Sequence, residues 1–116
     1  MTSQKKYLPK AGHFQVDETK VLNYLLNEKH PEGKSKAIYL KGCGFARNEW
    51  QSLQSALAEH GGTRPIVSTK KSAFGVKYVV ECALTTPDGG NRCIRSVWVN
   101  EATNTFRLIT AYPAAR

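Results

Sequence analysis

Eleven residues, Asn27 to Ala37 (NEKHPEGKSKA), crowd one histidine, three lysines and two glutamates around a Pro and a Gly. A connection between two helices needs only the turn residues. An imidazole set among cations suits proton transfer beside a bound anion. Histidine exchanges protons near neutral pH because its reference pKa is about 6.5. Lys36 lies one turn into the helix that follows His30, and Lys34 sits at that helix's start.

Phosphodiester cleavage of RNA without a metal asks for such groups. The 2'-hydroxyl is the nucleophile, so a base must take its proton and an acid must protonate the leaving 5'-oxygen. Each such transfer typically contributes about 10²–10⁴-fold. Cations must hold the charge that grows on the phosphate, Arg in a bidentate way. His30, Lys36, Arg95, Thr110 and Tyr112 are the catalytic candidates, with Thr110 and Tyr112 as hydroxyls that orient phosphate or ribose. Lys34, Lys77 and Trp98 are candidates for binding the substrate. Each has a plainer explanation. His30 before Pro31 suits a loop or cap residue, and Lys34 and Lys36 suit a solvated surface. Arg95 suits an ion pair to Glu32 or Glu81. Thr110 and Tyr112 are good β-formers. His13 and His60 read as structural.

Three helices and four strands must position these groups. Asp17 is a good N-cap, and Val21, Leu22, Leu25 and Leu26 recur at helical spacing, predicting a helix over 17–27. His30-Pro31 ends it, because the residue before proline avoids the α conformation. A second short helix runs from 33–35 to about 41, and Gly42-Cys43-Gly44 stops it. Asn48 and Gln51 resemble a capping box, and Trp50, Leu53 and Leu57 make the stripe of a third helix ending at His60-Gly61-Gly62. The period then changes to two. Strands are expected over 65–71, 75–85, 91–100 and 105–112, with Thr86 to Gly90 as a turn. The fold class is α+β, with three N-terminal helices packed on a four-stranded antiparallel meander. Residues 1–16 read as an N-terminal arm and 17–113 as a single domain.

The turns suggest a register. Pairing Thr86 with Asn91 sets Cys82 opposite Arg95 and Leu84 opposite Cys93. The last turn sets Val99 opposite Phe106, Val97 opposite Leu108, and Arg95 opposite Thr110. Arg95 and Thr110 then meet at one end of an apolar face, with Tyr112 beyond. Lys77, Glu81, Ser96, Trp98, Arg107 and Ile109 fall on the other face. That face is either solvated under a Trp cover or a stacking platform for RNA bases.

Lys and Arg total 17 against 9 acids, a net charge of +8 and a pI near 9.6. This is the electrostatic footprint of a polyanion binder. Cys43, Cys82 and Cys93 are odd in number and form no CxxC, which argues against a disulfide framework or a zinc site. No metal or other cofactor is expected. No apolar run approaches the ~18 residues of a membrane span, and the N-terminus has no apolar signal region.

The run N-x-x-H-P-x-G-x-x-K-A (27–37) resembles a small bacterial domain family, as do FGVKYVVECALTTPDGG (74–90), RSVW (95–98) and RLITAYP (107–113). Helices followed by a sheet with a TAYP-like last strand also resemble the barnase, EndoU, colicin and RelE-like ribonuclease toxins. This resemblance implies a metal-independent endoribonuclease of toxin–antitoxin pairs or polymorphic toxins, leaving a 2',3'-cyclic phosphate. Its partners would be RNA (tRNA, mRNA or rRNA) and an acidic antitoxin or immunity protein, with no membrane partner. It would act in the cytoplasm, and delivery as a secreted toxin domain stays open. Starting at Met with no long delivery region suits a stand-alone toxin. The competing readings are a non-catalytic nucleic-acid-binding module and an interaction protein whose basic face meets an acidic partner.

Overall fold

The computed structural model describes residues 5–90 and 92–114. β1 (His13–Gln15) leads into α1 (Glu18–Lys20), which widens into a π turn over Val21–Leu25. There the Leu26 N–H reaches back five residues to the Val21 carbonyl, at 2.8 Å. α2 (Lys34–Gly42), a 3-10 turn (Arg47–Glu49) and α3 (Trp50–Thr63) follow. β2 (Ile66–Ser72), β3 (Gly75–Leu84), β4 (Arg92–Ala102) and β5 (Thr105–Pro113) complete the chain. No helix among the described residues is long and apolar enough to cross a membrane.

The fold is α+β, but the expected four-stranded antiparallel meander is corrected to a five-stranded mixed sheet of order β1-β5-β4-β3-β2. β1 runs parallel to β5, with Phe14 opposite Phe106. It lies inside the stretch read as an arm. Three residues are too few to display a period, so no pattern announces this strand. Backbone pairing and the partial burial of Phe14, stacked on Phe106 at 5.4 Å, hold it in place.

The expected register is also corrected. Cys82 lies opposite Ile94, Glu81 opposite Arg95, and Ala83 opposite Cys93. The expected Thr86–Asn91 pair lies outside the described residues. A one-residue slip exchanges the two faces of a strand. The inner face of β4 therefore carries Ile94, Ser96 and Trp98, all buried, and the outer face carries Arg95 and Val97. A register shift between Val97 and Trp98 places Val97 opposite Thr110 and Arg95 opposite Tyr112. Arg95, Thr110 and Tyr112 still share a face, but it is the outer one.

α3 covers the inner face. Its glycines do not stop the helix where the sequence suggests; it continues to Thr63. Gly61 lies on the Trp98 indole, where an added Cβ would meet the ring at 2.6 Å. The glycine is required for close approach rather than for a helix end.

His60 enters the same core and is fully buried. One ring nitrogen lies 3.0 Å from the Cys82 carbonyl, which only accepts, so Nε2 carries the proton. Nδ1 then accepts from the Ser96 hydroxyl at 2.7 Å, and that oxygen accepts from the Trp98 indole N–H at 2.8 Å. Burial pushes the imidazole pKa below its ordinary 6.5. The unfolded chain thus binds the proton more readily, and stability is lost as pH falls below about 6.5. Urea midpoints for the wild type should fall between pH 7.5 and pH 5, and His60→Asn should show a shallower dependence over that window. Equal slopes would remove His60 as the cause.

Candidate active site

The outer face of the sheet is built in rows of cross-strand neighbours. One row joins Glu81, Arg95 and Tyr112. The next joins Val79, Val97 and Thr110, and a third joins Lys77, Val99 and Arg107. The helical segments flank β5, whose edge is paired by β1 only as far as Arg107.

From the π turn, Tyr24 reaches the sheet. Its hydroxyl lies 3.3 Å from Thr110 Oγ1. The ammonium groups of Lys20 and Lys36 stand over its ring, at 5.1 and 5.2 Å from the centroid. The His30 ring meets it edge-on, 4.9 Å away at 87°. Partial burial alone would raise the phenol pKa. Hydrogen bonds with Lys36 and Thr110 and the charges of Lys36 and Lys20 outweigh it, so the net shift is below 10.0. π turns recur at functional sites because the extra residue re-aims a side chain.

His30 does two things. Its Nδ1 accepts the backbone N–H groups of Glu32 and Gly33, each at 3.0 Å. These donors fix the proton on Nε2, and the ring ties down the entry to α2. Gly33 passes so close to the Tyr24 carbonyl that a Cβ would sit 2.4 Å from its oxygen. The HPxG spacing therefore docks the start of α2 onto the π turn and brings Lys36 to Tyr24. Lys34, two residues earlier, lies on a different helix face and is exposed.

Arg95 pairs with Glu81, Nε to Oε1 at 2.5 Å. The Glu81 carboxylate first, then the Tyr112 hydroxyl, raise the guanidinium pKa. Glu81 is thus the ion-pair partner, one of the two that the sequence offered.

The structure gathers His30, Lys36, Arg95, Thr110 and Tyr112 along one face and its helical rim. Lys77 stands on the same face, two rows from Arg95. Trp98 does not join them. It is fully buried on the opposite face and offers no surface to a base. Tyr24 and Lys20 are what the sequence reading missed. Tyr24 sits among the apolar residues of a helical stripe, where an aromatic reads as core. Only the π turn shows that its hydroxyl leaves that stripe. Among the described residues, no three His, Cys, Asp or Glu side chains are grouped to hold a metal ion.

Lys20, Lys36, Tyr24 and Thr110 thus lie one sheet row from Arg95, Tyr112 and the Glu81 carboxylate, three cations and three hydroxyls along one face and its helical rim. Such a site can hold a phosphate and move protons next to it.

The family model described as a domain of unknown function (DUF6883) matches residues 7–115. A chain of the contact-dependent growth inhibition toxin–immunity protein complex from Klebsiella pneumoniae 342 shares the fold, with a TM-score of 0.70. The two are 21% identical over 87% of this chain and 93% of that chain. No curated protein matches this chain in sequence.

Proposed function

We propose that this chain, which belongs to the DUF6883 family, is a metal-independent endoribonuclease toxin that is neutralised by an acidic partner protein. The observation that carries this is that Lys36 and Tyr24 meet Thr110 on the sheet face, one row from the Arg95–Glu81 pair. Lys36 and Arg95 hold the phosphate, and Thr110 and Tyr112 hydrogen-bond to phosphate or ribose. The Glu81 carboxylate takes the 2'-proton as the hydroxyl attacks. The Tyr24 phenol protonates the leaving 5'-oxygen, and the ammonium groups of Lys36 and Lys20 stabilise the phenolate that forms. His30 is a positioning residue. Acting as a base would require its proton on Nδ1, against two backbone donors.

The fold shared with a chain of a toxin–immunity complex supports a role in such a pair, as toxin or as immunity protein. The net charge of +8 favours the toxin half. A protein that grips RNA is basic, and a neutraliser that covers the same surface must be acidic.

The test is incubation of the purified chain with total tRNA and rRNA in EDTA. Cleavage should persist in the chelator and leave 2',3'-cyclic phosphate ends. Activity that disappears in EDTA and returns with Mg²⁺ would overturn the mechanism. Salt-sensitive binding without any cleavage would favour a nucleic-acid-binding module instead.

A further inference from the structure

We propose that the recess between Lys20, Phe74, Lys77 and Arg107 is a subsite for one nucleotide of single-stranded RNA, adjacent to the cleaved phosphate; this rests on the nuclease reading above. The recess measures about 410 Å³ and is floored by Val99 and Leu108. Small-ligand sites begin near about 300 Å³.

Phe74 supplies the first reason. It is 83% exposed and lines the recess, so its ring is presented to whatever enters there. The turn that presents it is ordered. The Ser72 hydroxyl donates to the Gly75 carbonyl at 2.6 Å and accepts from the Phe74 N–H at 3.3 Å. Gly75 has φ of +123° and lies against β4, where a Cβ would meet the Asn100 carbonyl at 2.6 Å. The ring is thus held out from a fixed turn. Any base can stack on such a ring, whatever its identity.

Charge supplies the second. Arg107 is engaged by Glu101 and, at 3.9 Å, by Asp17. Among the described residues, neither Lys20 nor Lys77 has an ion-pair partner. Two cations beside an aromatic ring and an apolar floor match the phosphate and the base of one nucleotide. An acidic protein segment would use the cations and leave Phe74 unmatched.

Register supplies the third. Along β3 and β4 the row of Lys77, Val99 and Arg107 lies one two-residue step from the row that holds Thr110, β5 carrying one extra residue there. That step is about 6.6–6.8 Å, comparable with the advance of one nucleotide along an extended strand. Lys20 joins the two places, since it lines the recess and also stands over Tyr24.

The test uses oligonucleotides that bind but cannot be cleaved, a 2'-O-methyl dinucleotide and a hexanucleotide, followed by fluorescence anisotropy. The wild type should bind the longer one more tightly. Phe74→Ala should weaken hexanucleotide binding about tenfold, and Phe74→Tyr should restore it. Lys77→Ala should weaken binding and lower the salt slope by about one. Ile38→Ala, at an exposed position on α2, is the control. Undiminished hexanucleotide binding by Phe74→Ala overturns the subsite, as does binding of a polyglutamate peptide in place of RNA. Phe74-dependent binding without cleavage of unmodified RNA supports the subsite and defeats the nuclease reading. Cleavage with Phe74-independent binding does the reverse.

Discussion

Arg95→Ala is expected to slow RNA cleavage by about 10²–10³-fold, the usual cost of removing one preorganised donor to developing charge. The residue stands where the outer face meets Tyr112, and its Nε–H is taken by Glu81 at 2.5 Å. Its removal has two consequences for a bound phosphate. A forked donor is lost, and the Glu81 carboxylate is left facing the anion without its counter-charge. Arg95→Lys should recover only part of the rate, because a point charge replaces a planar fork. Glu81→Gln should also slow cleavage, through loss of the base. The melting temperature should hold near that of the wild type, since partly exposed ion pairs contribute little to stability. Single-turnover cleavage measured beside a thermal melt separates the two effects. An Arg95→Ala chain that cleaves at the wild-type rate would take Arg95 out of the site.

Trp98→Ala should destabilise the fold by about 3–5 kcal/mol, the range for removing a large buried aromatic. Small domains have only about 5–15 kcal/mol to lose. The indole is fully buried and meets Phe14 edge-on, with centroids 5.4 Å apart at 86°. Gly61 packs so close to it that an added Cβ would meet the ring at 2.6 Å. The substitution opens a cavity beneath α3 and removes the N–H that donates to Ser96 in the His60 network. Urea unfolding reads the effect, and Trp98→Phe should fall between Ala and wild type. A Trp98→Ala chain that unfolds at the wild-type urea concentration, yet binds RNA poorly, would return this residue to the surface role that its sequence context suggests.

Several candidate residues were legible because their chemistry is local. The HPxG run shows in sequence that a helix must end and another begin, and that a histidine and a lysine flank the junction. What His30 does there was not legible. The two N–H groups that claim its Nδ1 belong to Glu32 and Gly33, and only the folded turn brings them to the ring. The pairing of Arg95 was half legible. A charge on a strand of apolar residues needs a partner, and Glu81 was one of two choices. Tyr24 was not legible, because its role depends on a π turn, and nothing in the residue types announces one extra residue in a helical turn.

The sequence by itself determined the net charge of +8, the apolar stripes of the helices and the alternation along β3. It also determined that the helices precede the run of strands β2 to β5. These follow from residue type and spacing, which folding does not change. Only the tertiary structure decided that β1 pairs parallel to β5, and which face of β4 looks inward. A period of two reads the same after a slip of one residue, so alternation cannot choose a register. The choice was made by the fit of Trp98 under Gly61, by His60 reaching Ser96, and by Glu81 meeting Arg95. That one-residue difference moves Trp98 from a surface for bases into the core, and it places Arg95 on the open face beside Thr110 and Tyr112.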